Sequence, residues 1–169
     1  SAPDNLDWIH CLTVPRVLTR CEDGVIAMAP APELEQLRGE QASFAHVDSA
    51  PAQTRTATLP AHRADIVVDG ISGPFDLTLD GADGELTLNF DDGVQGIGRG
   101  RQTRSVNVNA LENLRVLVDN SALEIFANNG REVFSTRWFP TADQLGIAIK
   151  GTAEAARVWP MGDGMEGTY

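Results

Sequence analysis

The sequence is poor in positive charge. Thirteen basic residues stand against 24 acidic ones, a formal net charge of −11. Phosphate backbones and anionic membrane surfaces repel so acidic a chain, so neither nucleic acid nor membrane is an expected partner. Arg99, Arg101 and Arg104 form one local basic cluster. It falls in a Gly-rich stretch and reads as solvated arginines on a loop or edge strand. Long apolar runs are also missing, and none approaches the roughly 18–20 residues of a membrane helix. No signal-peptide pattern opens the chain. It starts on Ser1 rather than methionine, so the start is expected to be processed, engineered or cut from something longer.

Cysteine is scarce, with Cys11 and Cys21 only. If residues 12–20 run as one strand, the pair lies roughly 30 Å apart, far beyond the about 7 Å between Cα atoms that a disulfide tolerates. Unless the segment folds back, both are free thiols, and that is the expectation. His10, His46 and His62 are scattered, with no Cys/His spacing for zinc. No metal or cofactor site is expected. Internal repeats are absent, and the Gly162–Tyr169 tail is the one low-complexity stretch.

What is present is a succession of short apolar and β-branched runs separated by turn residues. Phe75–Asp80 and Leu86–Asp91 alternate apolar and polar residues around Gly81-Ala82-Asp83-Gly84. Period-2 alternation puts Phe75, Leu77 and Leu79 on one face of a predicted hairpin. Further strands are expected at 12–19, 24–29, 43–47, 55–59, 65–69, 94–98, 104–108, 114–118, 122–127, 132–138, 145–149 and 153–159. So many short strands predict an all-β fold, a two-sheet antiparallel β-sandwich of the lectin-like jelly-roll kind. One short helix is expected at Pro32–Gly39, with proline in its first turn and glycine past its end. Leu34 and Leu37 would tack it onto the core. The chain divides into a linker-like start at 1–10, a sandwich at 11–160 and a flexible tail at 161–169.

The sharpest local geometry lies at 122–138. Asn129-Gly130 suits a type I′ turn, which needs positive φ at both central residues. Paired residues then set Glu124 opposite Ser135, Ile125 opposite Phe134 and Phe126 opposite Val133. Glu124 lies diagonal to Arg137 on the same face, close enough for an ion pair.

Asp119-x-Ser121-x-x-Glu124-x-Phe126-x-Asn128-x-Gly130, followed by Arg137-x-x-Pro140, resembles the signature stretch of the C-terminal module of glycoside hydrolase family 32 β-fructosidases. Leu12-Thr13-Val14-Pro15-Arg16 is similar to the segment that leads from that family's catalytic propeller into the module. Pro30-x-Pro32-Glu33-Leu34-x-x-Leu37-Arg38 resembles the element that follows. Ala122 departs from the pattern, where a second serine is common. The resemblance implies a parent that hydrolyses terminal β-fructofuranosyl bonds in sucrose or fructans with retention. Retention needs two carboxyl groups about 5 Å apart, which in this family come from the N-terminal five-bladed propeller. Its Trp-Met-Asn-Asp-Pro-Asn-type, Arg-Asp-Pro and Glu-Cys motifs do not occur here; Cys21-Glu22 carries the last pair reversed. The compartment is left open by the sequence, with a bacterial-type cytoplasmic location slightly favoured over a secreted one.

Three readings follow. The chain is a non-catalytic accessory domain packed on the propeller through Trp8, Leu12, Pro15, Arg16 and Leu34, a surface that would self-associate if bare. Alternatively it binds carbohydrate, a fructan or other sugar, at Asp119, Glu124 and Arg137, since carboxylates and arginine pair well with hydroxyls. Trp138 is the aromatic nearest that cluster, while Trp8 and Trp159 are expected at the domain junction. In the third reading the chain is a purely structural sandwich. The remaining acid pairs, Asp80 with Asp83, Asp91 with Asp92 and Glu22 with Asp23, adjoin glycines and read as turn formers.

Overall fold

A computed structural model describes residues 11–47, 54–81, 84–91, 93–99 and 102–164. Fourteen strands and one 3-10 helix make up the described chain. They are β1 (Arg16–Arg20), β2 (Ile26–Pro30), the 3-10 helix (Pro32–Leu37), β3 (Ala45–Val47), β4 (Thr54–Leu59), β5 (Arg63–Asp69), β6 (Ser72–Asp80) and β7 (Leu86–Asp91). The rest are β8 (Val94–Arg99), β9 (Gln102–Asn107), β10 (Asn113–Asp119), β11 (Ala122–Ala127), β12 (Glu132–Arg137), β13 (Leu145–Thr152) and β14 (Ala155–Pro160).

Two antiparallel sheets form the sandwich, one in the order β12-β11-β10-β5-β14 and the other β3-β4-β13-β6-β7-β8-β9. Alternation decides what lies between them. Ile66, Val116 and Ile125 of the first sheet and Leu77, Leu88 and Ile149 of the second are all buried in one core cluster. Each such side chain contributes about 1.5–3 kcal/mol on leaving water. The expected hairpin forms with Phe75 opposite Phe90, Leu77 opposite Leu88 and Leu79 opposite Leu86; Ala82 and Asp83 of its turn lie outside the described residues. Among the expected arginine cluster, Arg104 is exposed, while Arg101 and the Arg99 side chain also lie outside them.

The β11–β12 register is the expected one, with Glu124 opposite Ser135 and Ile125 opposite Phe134. Asn129 and Gly130 both take positive φ, 56° and 79°. Gly130 has a second reason to be glycine. Its carbonyl accepts from Met28 N at 2.9 Å, and a Cβ there would overlap the Met28 main chain.

Three expectations are corrected. β1 and β2 form a separate two-stranded ribbon rather than joining either sheet. The expected strand at 12–19 begins only at Arg16, because Val14 N–H goes to a side chain and Pro15 has no N–H to give. The expected short helix does form, with 3-10 bonds from Leu34 N to Ala31 O and from Arg38 N to Glu35 O, but its leucines do not reach the core. Residues at i and i+3 eclipse in that geometry, so Leu34 and Leu37 share a side, yet both are half-buried and stand outside the core. Cys11 and Cys21 are free thiols.

Candidate functional site

The outward face of the five-stranded sheet carries the chemistry. One rung of paired residues runs Ser135, Glu124, Leu117, Asp65 and Trp159 across β12, β11, β10, β5 and β14. The adjacent rung sets Arg137 opposite Ala122, Ala122 opposite Asp119, and Asp119 opposite Arg63. Asp119, Glu124 and Arg137 therefore share a face, as period-2 alternation requires, but they do not converge.

Glu124 is 5% exposed and both its oxygens are taken. Oε1 accepts Val14 N–H at 2.7 Å. Oε2 accepts Arg16 Nε at 3.1 Å and also pairs with Arg16 Nη2. Arg16 reaches on to Ser135 Oγ at 2.8 Å and lies over the Phe126 ring, 5.5 Å from its centroid. The expected Glu124–Arg137 pair does not form. The strand-entry segment brings a backbone donor and a guanidinium to Glu124 together, while Arg137 turns to Ser121, donating from Nη2 to Oγ at 2.6 Å and from Nε to the carbonyl at 3.2 Å. Trp138 is 2% exposed, and its Nε1 donates to Gly84 O at 3.2 Å. That burial removes it as a stacking platform for a sugar.

Asp65 escaped the sequence reading. It is fully buried yet lies in the apolar run Ala64–Val68. Arg115 donates to it from Nε at 3.0 Å and Nη2 at 2.8 Å, and Arg38 from Nε at 2.8 Å. Glu35 of the 3-10 helix bridges the same two arginines at 3.1 and 3.2 Å. Arg38 also stacks over Trp159 at 4.0 Å. This network bolts the 3-10 helix to the sheet, since a buried carboxylate demands its charge partners. The signal in the sequence was an acid inside the otherwise apolar run Ala64–Val68.

Between the 3-10 helix, the Val14–Pro15 segment and residues 161–164 opens a cleft of about 890 Å³. Leu34, Leu37, Leu117 and Met161 line it, with Asp119, Asn120 and Arg63 among its polar groups. Gly162 N donates to Leu37 O at 2.7 Å, and Arg63 pairs with Asp163 at 3.3 Å. Of the expected interface residues, Pro15 and Leu34 line the cleft, Arg16 is held by Glu124, and Leu12 is 95% exposed. Trp8 lies outside the described residues. Among the described residues no cluster of His, Cys, Asp or Glu is arranged to hold a metal ion.

The chain matches the family described as glycosyl hydrolases family 32 C terminal over residues 33–160. It belongs to that family. Sucrose-6-phosphate hydrolase of Bacillus subtilis is 28% identical over 156 residues, covering 88% of this chain and 32% of that protein. A probable sucrose-6-phosphate hydrolase of Vibrio cholerae is 32% identical over 91% of this chain and 29% of its own length. The chain thus spans about a third of the length of the curated relatives it matches. A family 32 glycoside hydrolase from Bifidobacterium adolescentis shares the fold, with TM-score 0.71 at 19% identity over 89% of this chain and 25% of that one. The family 32 match begins at Glu33, so the β1–β2 ribbon precedes it.

Proposed function

We propose that this family 32 domain is the non-catalytic C-terminal accessory domain of a retaining β-fructofuranosidase that hydrolyses sucrose or fructo-oligosaccharides, and that it packs on a five-bladed catalytic propeller. The observation that carries the reading is the apolar surface left on the entry ribbon. Leu12 is 95% exposed and Leu18 64%, with Val17 and Ile26 also exposed. Water-facing apolar groups gathered on the ribbon and on the lead-in before it mark an interaction surface, and here they lie along the segment through which the chain enters the sandwich. The two buried carboxylates support the non-catalytic part of the reading. Asp65 and Glu124 are each saturated by arginine, whereas retaining hydrolysis needs a nucleophile and an acid facing one bond.

The test is recombination. The isolated domain should leave sucrose intact and should bind a separately produced propeller from the same polypeptide. Hydrolysis of sucrose by the isolated domain, or failure to bind that propeller, would sink the proposal.

A second reading, carbohydrate binding, draws on one observation. Asp119, Asn120 and Arg63 meet in a cleft whose volume suits a small ligand. Titration of the domain with levan, inulin and sucrose decides it, with Asp119→Ala as the control that should abolish any binding at the cleft.

A further inference from the structure

We infer that Glu124 is a positioning residue, the anchor by which the sandwich grips its own entry segment and thereby sets the orientation of whatever precedes it. The inference rests on the accessory-domain reading for the identity of that preceding part.

β11 is flanked on both sides by strands, β10 and β12, so the Glu124 backbone is held by two ladders. Its carboxylate is nearly sealed from water, where a charge-assisted hydrogen bond is about twice as strong as a neutral one. All the bonds it accepts come from one short stretch: Val14 gives its backbone N–H, and Arg16 gives its guanidinium. Between them Pro15 fixes φ near −65°, so the two donors are presented as one rigid clip. Pro15 O then accepts Ala31 N at 2.8 Å, closing the ribbon behind it. On the other side only Thr13 separates the clip from Leu12, which stands free of the surface at 95% exposure.

The lever between anchor and upstream chain is therefore short. The family match starts at Glu33, so Val14 and Arg16 lie before the matched residues while Glu124 lies deep inside them. A buried carboxylate in the sandwich is spent on holding a segment outside the matched module. A sandwich indifferent to what precedes it has no need of that contact, whereas a domain that must keep a fixed angle to its neighbour does.

The test has two arms. In this chain, Glu124→Gln and Arg16→Ala should speed tryptic cleavage after Arg20 by about tenfold or more, the loss expected when a hydrogen bond to a charged group is removed. The sandwich's tryptophan fluorescence and unfolding transition should persist. Arg16→Ala makes the change from the ribbon side and leaves every sandwich residue in place, so a folding failure of Glu124→Gln leaves the arm intact. Unchanged cleavage in Arg16→Ala would overturn the anchor.

In the polypeptide that carries this domain behind its catalytic part, the wild type should unfold in one calorimetric transition. Glu124→Gln should split it in two and broaden the solution scattering profile. A destabilised but still coupled pair would shift without splitting, and that outcome overturns the positioning role while leaving the accessory reading standing. Two independent transitions already in the wild type would overturn the accessory reading itself, and the positioning role with it.

Discussion

Arg115 on β10 grips Asp65 on β5 with two parallel bonds, Nε to Oδ1 at 3.0 Å and Nη2 to Oδ2 at 2.8 Å. The partners sit diagonally across neighbouring strands, since Asp65 is directly opposite Leu117 and Arg115 opposite Val67. Arg38 closes the other side of the carboxylate from the end of the 3-10 helix. Helix, cleft wall and sheet are thus joined through one fully buried acid.

Asp65→Ala should therefore cost about 3 kcal/mol or more, because it removes the buried partner of two largely buried arginines and leaves them only the exposed Glu35. Denaturant unfolding should show the loss as a lower midpoint. A midpoint within experimental error of wild type would mean that the arginines rehydrate without cost and that the network does not hold the helix.

Gly130→Ala should destabilise by about 1–3 kcal/mol, through positive φ and collision with the Met28 main chain. The damage should be local first. Hydrogen exchange at Met28, which donates to Gly130 O, should rise before exchange in the sandwich strands does.

Trp138→Ala should cost about 3–5 kcal/mol, the usual penalty for emptying a buried aromatic site. Any sugar affinity of the folded variant should match wild type, since the ring is buried and tied to Gly84 O. A selective loss of sugar binding with stability intact would contradict this assignment.

Asp23 pairs with Arg131 at 2.7 Å and accepts Val25 N–H at 3.2 Å. The Arg131 hydrogen bond first, and then that of Val25, hold its carboxyl below the ordinary value, while the same pair raises Arg131. A carboxyl depressed in the folded state contributes stability above its unfolded pKa and loses it as pH falls through the folded one. Chemical-shift titration of Asp23 should thus move upward in Arg131→Ala. Both groups are solvent-exposed, so the effect on global stability should be negligible.

Leu12→Asp with Leu18→Asp should reduce self-association of the isolated domain, as their exposure leads one to expect. Sedimentation velocity across a concentration series reads it directly. If the wild type sediments as a monomer throughout, the bare ribbon is not adhesive.

The sequence by itself determined the strands and the pairing of two hairpins, β6 with β7 and β11 with β12. Period-2 alternation in Phe75–Leu79 and Leu86–Phe90, and the Asn129-Gly130 turn, are local statements, and sheet faces and hairpin register follow from local geometry. The family was legible for the same reason, because the runs that resemble it, Leu12–Arg16, Pro30–Arg38 and Asp119–Pro140, are each short. Only the tertiary structure decided who pairs with whom across distance. Glu124 had a reachable partner in Arg137 by hairpin geometry, but a buried carboxylate goes to the donors that best replace water. Those came from Val14 and Arg16, 110 and 108 residues away in sequence. Asp65 was unreadable as a hub until β10, β5 and the 3-10 helix met around it. Hairpin pairing is set by neighbours in the chain, whereas the pairing of distant strands such as β5 with β10, and of buried charges, is set by packing, and packing has no local signature.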